Sequence, residues 1–229
     1  MTKTAIIIGA NSDIAKGIMP MLEADGYELV KVFRQTDPMF IYDENIEWDL
    51  LISFIGTVAP VQIWEPMPLE DWIYSIKTNL HAPFGYLQIA WPSHKPNASV
   101  CFFAGSNPQM IMPGYSAYHT GKMALLKLVE QLDYETPDAK FFALGPGIVL
   151  TKIHKPSMTW ENPKLKAALE SGKSTPIEDV YDSLMWCVGQ DKAVVGGRNI
   201  CVSDLRGDRG ALAQRLRENP DLFKLRRVE

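Results

Sequence analysis

The chain has 229 residues, 46% of them hydrophobic and 22% charged, enough to bury a core in one large domain or two small ones. Its net charge of −4 excludes a protein built around nucleic acid, which needs a basic face to meet phosphate. No apolar run approaches the roughly 18 residues of a membrane span, and the one ending at Gly9 is too brief for a secretion signal. A cytoplasmic location with no membrane partner is therefore expected. Cys101, Cys187 and Cys201 lie far apart among apolar neighbours and read as buried thiols, so no metal site is expected.

Taken in chain order, Thr4–Ile8 is a continuous β-branched run ending in glycine, which predicts a strand buried on both faces. Ile14, Ile18, Met21 and Leu22 follow with helical spacing as far as Ala24, and Pro20 is the one discordant residue. Tyr27–Phe33 predicts a second strand. The stretch from Arg34 to Trp48 is polar and broken by Pro38, with at most a short strand at Phe40–Tyr42. It is too short for a full strand–helix–strand unit, so an outer helix is expected to be missing. Asp49–Ile55 predicts a buried strand ending at Gly56, and Leu69–Ala90 a long helix opened by acidic residues. Ala98–Ala104 reads as a strand, Ser116–Leu132 as a helix and Lys140–Leu144 as a strand. Ile177–Val188 is helical, Asn199–Ser203 a last strand, and Gly210–Arg217 a short basic helix. Residues 151–174 are polar, aromatic and rich in lysine, without a clear period.

Strands alternating with helices predict an α/β fold, a doubly wound parallel sheet in three layers, α/β/α. No linker or break in composition divides the chain, so a single domain over residues 1–229 is expected. In such sheets ligands bind beyond the carboxyl ends of the strands, which directs attention to the residues just after each one.

After the first strand, Gly9-Ala10-Asn11-Ser12-Asp13-Ile14-Ala15 leads into a helix, and backbone amides at such a turn can hold a pyrophosphate. Only Gly9 is glycine where a dinucleotide fingerprint has three, with Asp13 and Ala15 at the other two positions. An ordinary strand–helix turn is the alternative. Arg34 lies 19 residues beyond Ala15, where a guanidinium would pair with a 2′-phosphate and a carboxylate would instead bind a ribose. It favours NADP(H) over NAD(H); the alternative is a solvated loop arginine. After Ala98–Ala104 come Ser106, a Pro113-Gly114 turn, and then Tyr118 and Lys122, whose i,i+4 spacing sets phenol and ammonium on one helix face.

The span from Gly105-Ser106 through Pro113-Gly114-Tyr115-Ser116-Ala117-Tyr118 to Lys122 resembles the catalytic segment of the short-chain dehydrogenase/reductase family. Thr78-Asn79-Leu80 is similar to its structural and proton-relay asparagine, and Pro146-Gly147-Ile148-Val149-Leu150-Thr151 to the turn that holds the nicotinamide carboxamide. These elements occur in the family's order across nearly the whole chain. The resemblance implies a Rossmann-like fold and hydride transfer between a nicotinamide and a carbonyl or hydroxyl substrate. Tyr118 would then be the general acid/base, Lys122 its tuner, Ser106 a hydrogen-bond donor to the reacting oxygen, and Asn79 the holder of a water that refills the proton. Gly9, Asn11, Ser12, Asp13, Ile14, Arg34, Ile55, Gly56, Pro146, Gly147, Val149 and Thr151 would line the cofactor together with Tyr118 and Lys122.

The chain departs from the family in two places. The serine-to-tyrosine interval is one residue short, and Ser53-Phe54-Ile55-Gly56 stands where Asn-Asn-Ala-Gly is usual. Each residue also has a plainer reading: Asn79 as a helix-kink residue, Ser106 as a turn residue, Thr151 as a helix N-cap.

A free tyrosine titrates near ~10, too high for an efficient base at neutral pH. A lysine ammonium ~4 Å away contributes ~4 kcal/mol at an effective dielectric of ~20, and desolvation opposes it. A drop of about two units is the expectation for Tyr118.

The substrate is less constrained. Residues 151–176 correspond to a lid in the family, and here they hold Lys152, His154, Lys155, Trp160, Lys164 and Lys166. Such a lid would suit an anionic sugar derivative; a solvated helical face is the alternative. The basic tail, residues 204–229, either reaches a neighbouring subunit's site or is surface. Family members pair through the helices at Leu69–Ala90 and Ser116–Leu132, which implies a homodimer or homotetramer. The competing reading is a catalytically silent NADP(H)-binding regulatory or scaffold protein. A sugar-nucleotide epimerase or dehydratase ranks last, since the chain lacks room for a separate substrate domain.

Overall fold

The computed structural model describes residues 2–33, 46–105, 110–154 and 174–227, with Ser157, Ala167, Glu170 and Ser171. Strand β1 (Lys3–Ile8) leads into helix α1 (Asp13–Ala24), then β2 (Tyr27–Val32) and β3 (Trp48–Ser53). Helix α2 (Leu69–Ile76), a π turn (Lys77–His81) and α3 (Ala82–Ala90) precede β4 (His94–Phe103). Then come α4 (Ser116–Glu135), β5 (Lys140–Gly145), α5 (Ile177–Gly189), α6 (Lys192–Val195), β6 (Asn199–Cys201) and α7 (Arg209–Glu218).

The six strands form one sheet in the order β2-β1-β3-β4-β5-β6, and every pairing is parallel. The order reverses between β1 and β3, the place where a crevice opens in doubly wound sheets. Alternate residues of each strand feed two separate cores. Ile7, Ile52, Cys101 and Phe142 pack with α1, α5 and α7 on one face. Ile8, Leu51, Phe102 and Phe141 pack with α3 and α4 on the other. Both faces are covered, so the central strands run apolar over Ala5–Ile8, Leu50–Ile52, Val100–Phe103 and Phe141–Leu144 instead of alternating. A fully buried Ile or Leu contributes about 1.5–3 kcal/mol, which makes these runs the main source of stability.

The element boundaries match the sequence expectation to within a few residues, with one difference of substance. The helix expected as one piece over Leu69–Ala90 is interrupted by the π turn at Lys77–His81, which turns Asn79 inward until it is fully buried. Pro20 does not end α1, because it sits on the exposed side, where a missing amide leaves the packed face intact. The expected short strand at Phe40–Tyr42 and the missing outer helix lie outside the described residues. Of the basic tail, Arg226 folds back to pair with Asp221 and Glu130 of its own chain, each at 2.6 Å. Among the described residues no helix is long and apolar enough to cross a membrane, and no cluster of metal-ligating side chains occurs.

Candidate active site

The carboxyl ends of β1, β3, β4 and β5 open onto one cleft of about 390 Å³. Each strand end supplies a piece of it by a different local device.

At β1 the chain turns through Gly9, whose φ of +81° lies in the left-handed region that favours glycine. The Gly9 amide donates to the Val32 carbonyl at 2.9 Å, fixing the turn against β2. The first intrahelical bond of α1 runs from the Lys16 amide to the Ser12 carbonyl, and the Ser12 side chain caps no amide. The amides of Asp13, Ile14 and Ala15 thus precede the helical ladder at the cleft, the arrangement that suits an anion.

At β3, residues 54–58 form the cleft floor, and Phe54 packs on Phe103 with ring centroids 4.5 Å apart. Thr57 is latched by Asn79. The Asn79 amide nitrogen donates to the Thr57 carbonyl at 2.8 Å, and its oxygen accepts from the Thr57 amide at 3.1 Å. That same nitrogen also donates to the Ser75 carbonyl at 3.0 Å. A Cβ on Gly56 would come within 3.1 Å of Lys122 Nζ and 3.2 Å of Asn79 Oδ1, so glycine there lets three elements meet. Asn79→Ala is expected to strand both Thr57 groups and cost about 2–4 kcal/mol of stability, read from denaturant unfolding. A loss below about 0.5 kcal/mol would mean that the latch carries no weight.

At β4 and α4, Lys122 is only 4% exposed. Its ammonium donates to the Phe103 carbonyl at 2.9 Å and to the Ile55 carbonyl at 3.4 Å, so it spans the ends of β4 and β3. Burial lowers its pKa to about 8. Tyr118, one turn earlier on α4, also lines the cleft, edge-on to the Tyr115 ring at 6.3 Å. Burial, with a smaller contribution from Tyr115, raises its pKa to about 12.

This reverses the downward shift expected from the Tyr118–Lys122 spacing. The Lys122 ammonium is engaged with two carbonyls, and desolvation of the phenolate outweighs its attraction.

At β5, residues 146–151 form the remaining wall. The Thr175 amide donates to the Ile148 carbonyl at 2.8 Å, tying this wall to the residues just before α5. Lys152 crosses the cleft mouth to Asp13, which lowers the Asp13 pKa.

Of the residues singled out in the sequence, Ser12, Asp13, Ile14, Ile55, Gly56, Tyr118, Lys122, Pro146, Gly147, Val149 and Thr151 all line the cleft. Gly9 and Asn11 shape the turn behind it, and Asn79 stands behind Gly56. Arg34 and Ser106 lie outside the described residues, as do Lys155, Trp160, Lys164 and Lys166. The sequence reading missed Thr57, Val58, Phe103 and Ala104 as cleft residues, and it took Lys152, Ile153 and His154 for part of a lid. Most of these are apolar or backbone contributors at strand ends, which position in the sheet alone could have flagged. Burial keeps the pKa of His154 below its usual value.

The chain belongs to the short-chain dehydrogenase/reductase family. Residues 41–204, more than half the chain, match the family model described as enoyl-(acyl carrier protein) reductase, a span that includes Asn79, Tyr118 and Lys122 but not the Gly9 turn.

No curated protein matches the sequence. Among solved structures, the chain is similar to the ligand-free aldohexose dehydrogenase of Thermoplasma acidophilum, at 18% identity and a TM-score of 0.76. That match covers 90% of this chain and 96% of the other. A short chain dehydrogenase/reductase from Saccharomyces cerevisiae is 18% identical, covering 97% and 100%, with a TM-score of 0.74. A small-chain dehydrogenase in complex with NADPH is 17% identical, covering 93% and 99%, with a TM-score of 0.75.

Proposed function

We propose that the protein is an NADP(H)-dependent oxidoreductase acting on a carbonyl or hydroxyl carbon, with Tyr118 as its acid/base. The observation that carries this is the convergence of the amide-rich head of α1, Tyr118 and Lys122 on one cleft at the reversal point of the sheet. The cleft fits a dinucleotide chemically. Open amides suit a diphosphate, apolar walls at Ile14, Ile55 and Val149 suit flat rings, and a buried cation stands at the inner end. Similar folds solved with NADPH or NADP support the cofactor class.

When bound, the cofactor supplies a hydride to, or accepts one from, the substrate carbon. The chain's own residues handle the proton. With a pKa near 12, Tyr118 is protonated at neutral pH and ready to donate to a developing alkoxide. Lys122, fixed by the Phe103 and Ile55 carbonyls, holds positive charge beside the cleft where negative charge would develop. Ser106 would donate to the reacting oxygen. Asn79 acts by holding Thr57, and a water near it and Lys122 would return the proton to Tyr118.

Turnover decides between this reading and a silent NADP(H)-binding protein. Purified protein is mixed with NADPH and a panel of ketones, aldehydes and keto-sugars, and nicotinamide absorbance is followed. Consumption on at least one substrate is expected; tight binding without turnover on any would favour the silent protein.

The preference for NADP(H) rests on Arg34 in the sequence. Arg34→Ala is expected to weaken NADPH binding about tenfold or more and to leave NADH nearly unchanged, as loss of a charged pair to a 2′-phosphate predicts. Equal losses for both cofactors would refute it. An anionic sugar derivative is a substrate class that Lys155, Lys164 and Lys166 of the sequence would suit, with a solvated face as the alternative. Copies would pair through the helices at Leu69–Ala90 and Ser116–Leu132, where Leu69, Ile73 and Tyr74 stay exposed on α2.

A further inference from the structure

Lys152 follows the 146–151 turn and reaches across the cleft mouth to the head of α1. Its backbone amide donates to Asp13 Oδ2 at 2.9 Å. Its ammonium lies 3.1 Å from Asp13 Oδ1 and donates to the Asn11 carbonyl at 3.1 Å. Three contacts thus join two loops 139 positions apart, and both residues line the same cleft. Asp13 occupies a place where a dinucleotide turn ordinarily has glycine. A carboxylate there is favoured by the helix dipole, yet it stands where the open amides would receive an anion. An incoming diphosphate meets a like charge on Asp13 and, beside it, an ammonium whose side chain is 57% exposed.

We propose that Lys152 is the cation that receives the cofactor's diphosphate and that Asp13 is its resting partner, the two forming a charge clasp that cofactor binding re-partners. This rests on the nicotinamide-cofactor reading of the cleft. The exposed ion pair is weak in water, so exchanging its anion costs little. A phosphate oxygen offers a stronger charge-assisted bond than the screened carboxylate. The backbone bond from Lys152 to Asp13 keeps the loop in place while the flexible lysine stem changes partner. If the pair were only a strut between loops, cutting it from either side would act in the same direction. The clasp requires opposite directions, because Lys152 attracts the diphosphate and Asp13 repels it.

The test is the NADPH dissociation constant of wild type, Lys152→Met, Asp13→Asn and Lys152→Arg, read by nicotinamide fluorescence, with thermal melts to establish folding. Lys152→Met is expected to raise Kd about tenfold, Asp13→Asn to lower it about threefold, and Lys152→Arg to stay within about twofold. ADP-ribose, which carries the diphosphate without nicotinamide, is expected to follow the same order. Should Lys152→Met fold poorly, Lys152→Gln reads the same loss. Shifts of the same sign for Lys152→Met and Asp13→Asn, or no shift in either, overturn the clasp while leaving the cofactor reading intact. Failure of the wild type to bind NADPH and NADH overturns the cofactor reading, and the clasp with it.

Discussion

Tyr118→Phe is expected to lower turnover by about 10²–10⁴-fold, the usual contribution of a positioned acid or base. The cofactor Kd should stay within about twofold, because a group used in proton transfer contributes to the transition state more than to binding. Phenylalanine keeps the ring and its contacts with Tyr115 and His119, so the fold is undisturbed. The pH dependence follows from the raised pKa. The phenol holds its proton up to about 12, so reduction should show no tyrosine-dependent fall through the neutral range. Oxidation needs the phenolate and should accelerate as pH rises. Stopped-flow rates in both directions with NADPH and NADP⁺ would check this. A Tyr118→Phe rate within about threefold of wild type would remove Tyr118 from the proton chemistry.

Lys122→Met is expected to destroy activity and raise stability together. The lysine is 4% exposed, and burial depresses its pKa from 10.5 to about 8. Between these values the folded state binds fewer protons than the unfolded chain, so wild-type stability rises with pH across that window. Below about 8 the full burial penalty applies, on the order of 3 kcal/mol. Methionine fills the same volume without a charge. Its melting temperature should exceed wild type by a few degrees at pH 7, and the gap should narrow from pH 8 to 10.5. Loss of the two carbonyl bonds offsets part of the gain. Turnover should fall about 10²-fold or more, since a preorganised charge in a low-dielectric site is among the larger catalytic contributions. A gap that does not change with pH would show that the ammonium carries no burial penalty.

The two variants separate roles that share one helix turn. Tyr118 gains from burial, which keeps its proton on for reduction, whereas Lys122 suffers from burial and is held by carbonyls at two strand ends.

Much of this was legible in the residues. Short continuous apolar runs such as Ala5–Ile8 and Leu50–Ile52, each followed closely by glycine, announce strands covered on both faces. The Tyr118–Lys122 spacing, the Gly9 turn and the Pro146-Gly147 turn are local patterns, and local patterns survive in one dimension. The helical pattern of Leu69–Ala90 runs unbroken through the π turn, and only the plainer reading of Asn79 as a helix-kink residue points to it. Its cause is tertiary: the buried Asn79 side chain bonds Thr57, 22 positions away. The sign of the Tyr118 shift was not legible, because spacing gives the attraction of a neighbouring charge but not the desolvation that competes with it.

By its sequence alone, then, this protein is a doubly wound α/β chain carrying a tyrosine and a lysine on one helix face. Only the tertiary structure joins Asp13 to Lys152 and seats Lys122 between the Phe103 and Ile55 carbonyls. The reason is physical: periodicity encodes which face of an element is buried, whereas charge pairing and desolvation depend on distances that exist only after the chain has closed on itself.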